Sequence, residues 1–285
     1  MKINDFAVFI LTNNRPDKVY TYSTLRRCGY TGKIFLILDN QDKSIDQYRN
    51  NFKEDEIIIF NKDQIAKTFD QGDNFNDKRA IIYARNASFE IAENLKIKYF
   101  LQLDDDYQKF DWRFNSRKEY SAHVTRSLDD IFKSIINFYI SCENITSIAI
   151  AQGGDFIGGN TNNDQVILLK RKAMNSFFCC IDRKFNFVGR INEDVNTYTN
   201  KGSQGLLFFT INQVSLTQKQ TQTNSGGMTE LYLDSGTYLK SFYSVMYQPS
   251  SVKITIMNTT NSRLHHKISW KNTVPLVIKE EIKKS

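Results

Sequence analysis

Three consecutive carboxylates, Asp104, Asp105 and Asp106, follow the apolar stretch Tyr99–Leu103. A buried strand of that composition delivers them to a surface crevice, and cations such as Mg²⁺ and Mn²⁺ are held by one or two carboxylates together with a substrate's phosphate oxygens. Ligands of open α/β sheets collect beyond the carboxyl ends of the strands. The run therefore reads as a cation-assisted diphosphate site, with an acidic turn as the plainer alternative. Asp39 ends a second apolar run, Lys33–Leu38, where a carboxylate accepts hydrogen bonds from a base or ribose; an Asp-Asn turn is the alternative there. Arg85, within Tyr83–Asn86, offers a guanidinium to a diphosphate from a helix, or else a surface ion pair. Glu193 and Asp194 precede a predicted helix. An acid there caps the helix or, within reach of a hydroxyl, serves as general base. His265 and His266 supply imidazole to a carboxylate metal site, and as neighbours on a strand they are expected to point to opposite faces.

These groups need elements to position them. Phe6–Leu11 is a continuous apolar run of strand length that breaks at Thr12–Pro16, and Tyr20–Arg27 reads as the helix after it. The unit repeats with Lys33–Leu38 and Glu56–Phe60. Asp77–Asn94 then carries apolar residues at helical spacing into Tyr99–Leu103. Alternating strands and helices imply an α/β fold with a mostly parallel, doubly wound sheet. Beyond Asp106 the pattern loosens: Leu128–Tyr139 predicts a helix, and Ile145–Ala151, Val166–Leu169 and Phe177–Ile181 predict strands. Gly153–Asn160 and Thr217–Thr229 are glycine-bearing polar loops, and Tyr238–Met246, Val252–Met257 and Thr273–Ile278 resume core-like patterning.

The chain has 285 residues, 40% hydrophobic and 13% aromatic, enough to bury a large core. No stretch reaches the roughly 18 apolar residues of a membrane span, and Phe6–Leu11 is too short for a signal peptide, so no membrane partner and a cytoplasmic location are expected. Cys28, Cys142, Cys179 and Cys180 show no CxxC spacing and read as reduced core residues. A formal charge of +7 is compatible with a polyanionic partner.

In order, the strand with Thr12–Pro16, the strand with Asp39, Ala84-Arg85-Asn86, Leu103–Asp106 and Glu193-Asp194 resemble a GT-A-type glycosyltransferase of the family 2-like group. More narrowly, Gly226-Gly227-Met228, Ser235–Ser250, Arg263–Trp270 and Val274-Pro275 resemble the TET-associated glycosyltransferases of bacteriophages, which are similar to enzymes that decorate hydroxymethylated pyrimidines in DNA. The resemblance implies a Rossmann-like sheet with an acceptor-side α+β extension. Residues 1–106 would form the nucleotide-sugar half, and residues 107–285 the acceptor and catalytic half of one continuous domain. It implies that Thr12, Arg15, Asp39, Arg85 and Asp105 hold a UDP-sugar, that Asp104 and Asp106 with His265 or His266 hold Mn²⁺ or Mg²⁺, and that Asp194, beside Glu193, is the base of an inverting transfer. Gly153, Gly154, Asp155, Gly226 and Gly227 are candidate acceptor contacts. In the first loop Asn13-Asn14 precedes Arg15 where the group varies widely. A phage-encoded enzyme of this kind would work in the host cytoplasm.

If the acceptor is a DNA base, phosphate contacts are needed, and Arg113, Arg117 and Lys118 beside Trp112 and Phe114, Lys170–Lys172 and Gln218–Gln220 are candidates. The competing readings are transfer to a glycan, lipid carrier or protein, and a metal-dependent nuclease or nucleic-acid-binding protein, which would leave Asp39 and Arg85 without purpose.

Overall fold

The computed structural model describes residues 5–73, 78–117, 119–156, 172–218, 238–257 and 262–273. Its first strands form because continuous apolar runs cannot stop at one face: β1 (Phe6–Leu11) is buried along its whole length, and β2 (Lys33–Asp39), β3 (Ile57–Phe60) and β4 (Tyr99–Asp104) pack around it in parallel. Side chains alternate across the sheet. Val8, Ile10 and Leu101 join one core with helix α1 (Tyr20–Arg27) and helix α5 (Leu128–Ser141), while Ala7, Phe9 and Phe100 join the opposite core with helix α4 (Ile82–Asn94). Two shorter helices, α2 (Ile45–Asn51) and α3 (Lys62–Ile65), follow β2 and β3.

Among the described residues nine strands form one sheet in the order β3-β2-β1-β4-β8-β7-β9-β5-β6. Here β5 is Tyr107–Phe114, β6 Tyr120–Val124, β7 Ile145–Gln152, β8 Ser176–Cys180 and β9 Leu207–Gln218. Pairing is parallel from β3 to β4 and then turns mixed, since β8 runs antiparallel to β4 and β7, and β5 antiparallel to β9. The sequence pattern did not mark β5, β6 or β9. In β9 the buried Thr210, Asn212 and Ser215 interrupt the apolar signal; the Thr210 hydroxyl donates to the Lys172 carbonyl and Ser215 Oγ accepts from Arg113 of β5. The Val166–Leu169 strand and the Thr273–Ile278 segment fall wholly or largely outside the described residues.

Helix α6 (Glu193–Ser203) lies against the face lined by Phe9 and Phe100, placing Val195 and Tyr198 in that core. Helix α7 (Leu239–Tyr247) packs on α6, and a separate ribbon of β10 (Val252–Met257) and β11 (Arg263–Ile268) packs on α7. The short helix α8 (Trp270–Thr273) returns to α6, where Trp270 stacks on Tyr198 at 5.8 Å. All four cysteines are free, as expected. Among the described residues no helix is long and apolar enough to cross a membrane.

Candidate active site

The sheet reverses its direction of growth at β1: β2 lies on one side and β4 on the other. Loops leaving the carboxyl ends of such neighbours splay apart and leave a crevice. A cavity of about 430 Å³ opens there, lined by Thr12–Arg15, Asp39, Lys62, Arg79–Ile81, Tyr83-Ala84, Asp104–Asp106 and Gln218, among others.

Register alone brings the first loop to the acidic run, because Leu11 pairs with Asp104. The Thr12 hydroxyl donates to Asp105 Oδ2 at 2.7 Å, and Arg15 Nη1 reaches Asp105 Oδ1 at 3.4 Å. Tyr48 braces the same loop: its hydroxyl lies 2.9 Å from Thr12 Oγ1 and accepts the Arg15 N–H at 2.9 Å. Asp39 is held by Asn13 Nδ2 at 2.6 Å, Lys62 Nζ at 2.8 Å and the Gln41 N–H at 2.9 Å. The turn that carries the acids is clamped by α1. Thr21 Oγ1 donates to the Asp104 carbonyl at 2.6 Å and accepts the Tyr107 N–H at 2.9 Å, while the Thr21 N–H binds the Asp105 carbonyl.

Burial pushes the Asp104 carboxyl up to about 8, with Asp106, Glu193 and Asp105 adding to the rise and Arg85 opposing it. Burial likewise lifts Asp105 to about 6 against the pull of Arg15. Asp105 gives both oxygens to Thr12 and Arg15, whereas Asp104 shares its Oδ1 with Arg85 Nη2, so Asp104 and Asp106 are the pair that fits a cation. Asp106 is steadied by Gln218 Nε2 at 3.2 Å. Crowded acids on a cavity wall fit a divalent ion. Among the described residues no group of three or more His, Cys, Asp or Glu side chains converges on one point, so such an ion would rely on two carboxylates plus phosphate oxygens.

Arg85 departs from the expectation that it touches a nucleotide. It is 1% exposed and does not line the cavity; Nη2 meets Asp104 Oδ1 and Nε meets Glu193 Oε1, both at 3.0 Å. Glu193 and Asp194 are the first two residues of α6, entered through Asn192 in the left-handed region (φ 60°), which Asn tolerates. Gly189 (φ +76°) is obligatory just upstream, since a Cβ there would lie 2.4 Å from Asn196 Nδ2. Asp194 is buried and accepts the Val195 N–H at 2.7 Å. Burial, then Glu193, raises its carboxyl to about 7, against Arg85, the Val195 N–H and Lys240.

The histidines do not join the acids. Neither lines the cavity, because β11 pairs with β10 rather than with the main sheet. Their rings sit side by side, centroids 4.2 Å apart, instead of facing opposite ways, and burial lowers His266 to about 4. Gly153, Gly154 and Asp155 form a short 3₁₀ turn in which Asp155 pairs with Lys172. Arg113 is engaged by Ser215, Tyr120 and the Phe156 ring rather than presented as a phosphate contact. Gly226, Gly227, Lys118, Lys170, Arg171, Lys219 and Gln220 lie outside the described residues. Sequence reasoning missed Lys62 and Arg79 as cavity residues and gave Gln218 to DNA phosphate instead. Lys62 follows the carboxyl end of β3, a position that signals the crevice; Arg79 and Gln218 carried no such mark.

A family model described as TET-Associated Glycosyltransferase matches residues 6–227. No curated protein matches. Among solved structures the chain is similar to glucosyl-3-phosphoglycerate synthase from Mycobacterium tuberculosis in complex with Mg²⁺ and UDP, at 8% identity and a TM-score of 0.48, over 95% of this chain and 88% of that one. A mannosyltransferase from Pyrobaculum calidifontis in complex with GDP-Man and Mn²⁺ is similar at 8% identity and a TM-score of 0.45, over 85% and 73%. TarS from S. aureus in complex with UDP-GlcNAc is similar at 11% identity and 0.42, over 85% and 66%.

Proposed function

Because the chain belongs to the TET-associated glycosyltransferase family, we propose that it moves a sugar from a UDP-linked donor to the hydroxyl of a hydroxymethylated pyrimidine in DNA, assisted by Mn²⁺ or Mg²⁺ and with inversion at the anomeric carbon. The observation that carries this reading is the convergence of Asp104–Asp106 with Asp39 on one cavity at the β1 reversal. Residues 1–106 are the donor half and residues 107–285 the acceptor half of one domain.

Asp39 receives hydrogen bonds from the base or ribose, and Asp105, held by Thr12, borders the same chamber. Arg15, Lys62 and Arg79 line it and offset diphosphate charge. Asp104 and Asp106 hold the cation. When bound, it neutralises the charge that develops on the departing diphosphate. Asp194 takes the acceptor hydroxyl's proton as the oxygen bonds to the anomeric carbon and the bond to the diphosphate breaks. Its raised proton affinity suits a base that works near neutral pH. The base reaches the site from the major groove or by flipping out of the stack. The family's name and the chain's +7 charge support a DNA acceptor.

The test is to incubate the protein with a panel of nucleotide sugars, Mn²⁺ and hydroxymethyl-pyrimidine DNA, and to weigh the digested nucleosides by mass spectrometry. A hexose or pentose mass added to the hydroxymethyl nucleoside is expected. Transfer to a glycan or protein but never to DNA would reassign the acceptor. Hydrolysed phosphodiesters without transfer would reassign the chemistry.

A further inference from the structure

Arg85 sits where no solvent reaches it, on α4, and spends its fork on two carboxylates from different parts of the chain. Nη2 holds Asp104 at the end of β4, and Nε holds Glu193 at the start of α6. The guanidinium is boxed by Phe177 and Phe187, whose ring centroids lie 4.9 and 5.7 Å away. Its own backbone carbonyl is fixed to β4 by Gln102 Nε2 at 2.9 Å. The cavity wall is made by Tyr83 and Ala84, the residues before it, so Arg85 touches the donor chamber only through Asp104.

We propose that Arg85 is a positioning residue that couples the two halves of the site, so that Glu193 on the acceptor side sets how tightly the donor side holds a nucleoside diphosphate with its cation. The inference rests on the reading of Asp104 as a cation ligand. The physical reason is the sharing of one buried positive charge. While Glu193 takes part of it, Asp104 keeps negative charge for a cation in the cavity. If Glu193 is neutralised or withdrawn, the guanidinium settles on Asp104 alone and competes with that cation. Coupling of this kind is reciprocal: occupancy of the donor chamber returns Arg85 to Glu193 and orders the start of α6, where Asp194 stands. Lysine does not replace the arrangement, because a point ammonium lacks the rigid fork that meets two acceptors at once.

Isothermal titration of UDP in saturating Mn²⁺ tests the coupling without requiring turnover. Glu193→Gln is expected to weaken UDP binding about three- to tenfold, in the range of couplings between residues that share a network. In the Arg85→Lys background the same substitution should have almost no effect. Glu193→Asp keeps the charge but retracts it by one methylene, so the bridge predicts a loss like that of Glu193→Gln, whereas direct attraction between Glu193 and the cation predicts none. Equal losses for Glu193→Gln in both backgrounds, or wild-type affinity in Glu193→Asp, would overturn the proposal. Glu193→Asp also decides the matter if Arg85→Lys fails to fold, which circular dichroism reveals. Asp104→Asn separates the two levels of inference. Abolished binding there, with Glu193→Gln alone at wild-type affinity, sinks only the coupling; wild-type binding there removes the donor-site reading and the coupling with it.

Discussion

Asp194 combines burial at 6% exposure with a neighbouring acid, and that environment holds its proton until about pH 7. As the proposed base, Asp194 works only when ionised. Activity should therefore climb as pH rises toward 7, about tenfold per unit on the acid limb, and level off above it, as a kcat/KM profile from pH 5 to 9 in saturating Mn²⁺ will record. Asp194→Asn keeps the shape of the side chain and removes the basic oxygen. It should lower kcat by about 10²- to 10⁴-fold while calorimetry finds UDP binding unaltered; an Asn variant that turns over normally would move the base elsewhere. Thr12, Arg15, Asp39 and Asp104–Asp106 were legible as neighbours on one crevice because strand ends carry chemistry in open α/β sheets. Arg85 was legible as a helix cation, but its two carboxylate partners were not. A guanidinium on a helix looks the same in sequence whether it meets phosphate or two buried carboxylates, and only its position between Asp104 and Glu193 decides.

Helix α1 shows how an element positions chemistry that it does not perform. Its first turn supplies Thr21, whose hydroxyl satisfies both the Asp104 carbonyl and the Tyr107 N–H, so the acidic turn cannot relax without orphaning two polar groups. Thr21→Val preserves volume and deletes the hydroxyl. It should cost about 1–3 kcal/mol in urea denaturation and weaken Mn²⁺-dependent UDP binding. If the variant is as stable as wild type, the clamp has no energetic role. The helix itself was legible over Tyr20–Arg27 from the polar break at Thr12–Pro16 before it, and β1, β2 and β4 were legible because strands buried on both faces leave uninterrupted apolar runs. The pair β5 and β9 was not: Lys109 is exposed and Thr210, Asn212 and Ser215 are buried among apolar residues, so neither strand leaves an uninterrupted apolar run. The His265-His266 strand was legible as a strand, while its membership of the separate β10–β11 ribbon was not.

On the scale of the whole molecule, one nine-stranded sheet spans the described residues from β1 to β9, with parallel strands under the cavity and mixed pairing beyond β4. The +7 charge predicts that DNA binding, measured by fluorescence anisotropy, falls steeply between about 50 and 200 mM salt, because each phosphate contact releases a counterion. Binding that ignores salt would argue for another acceptor. The sequence by itself determined the strands that are buried on both faces and the polar groups at their ends, since burial and strand length are local properties written in consecutive residues. Only the tertiary structure decided which of those groups meet. The crevice exists because β4 crosses back beside β1, and Glu193, which lies 108 positions from Arg85 in the chain, is brought to the same buried charge by the packing of α6 on the sheet. Such long-range meetings depend on crossover and layer packing, which no window of sequence contains.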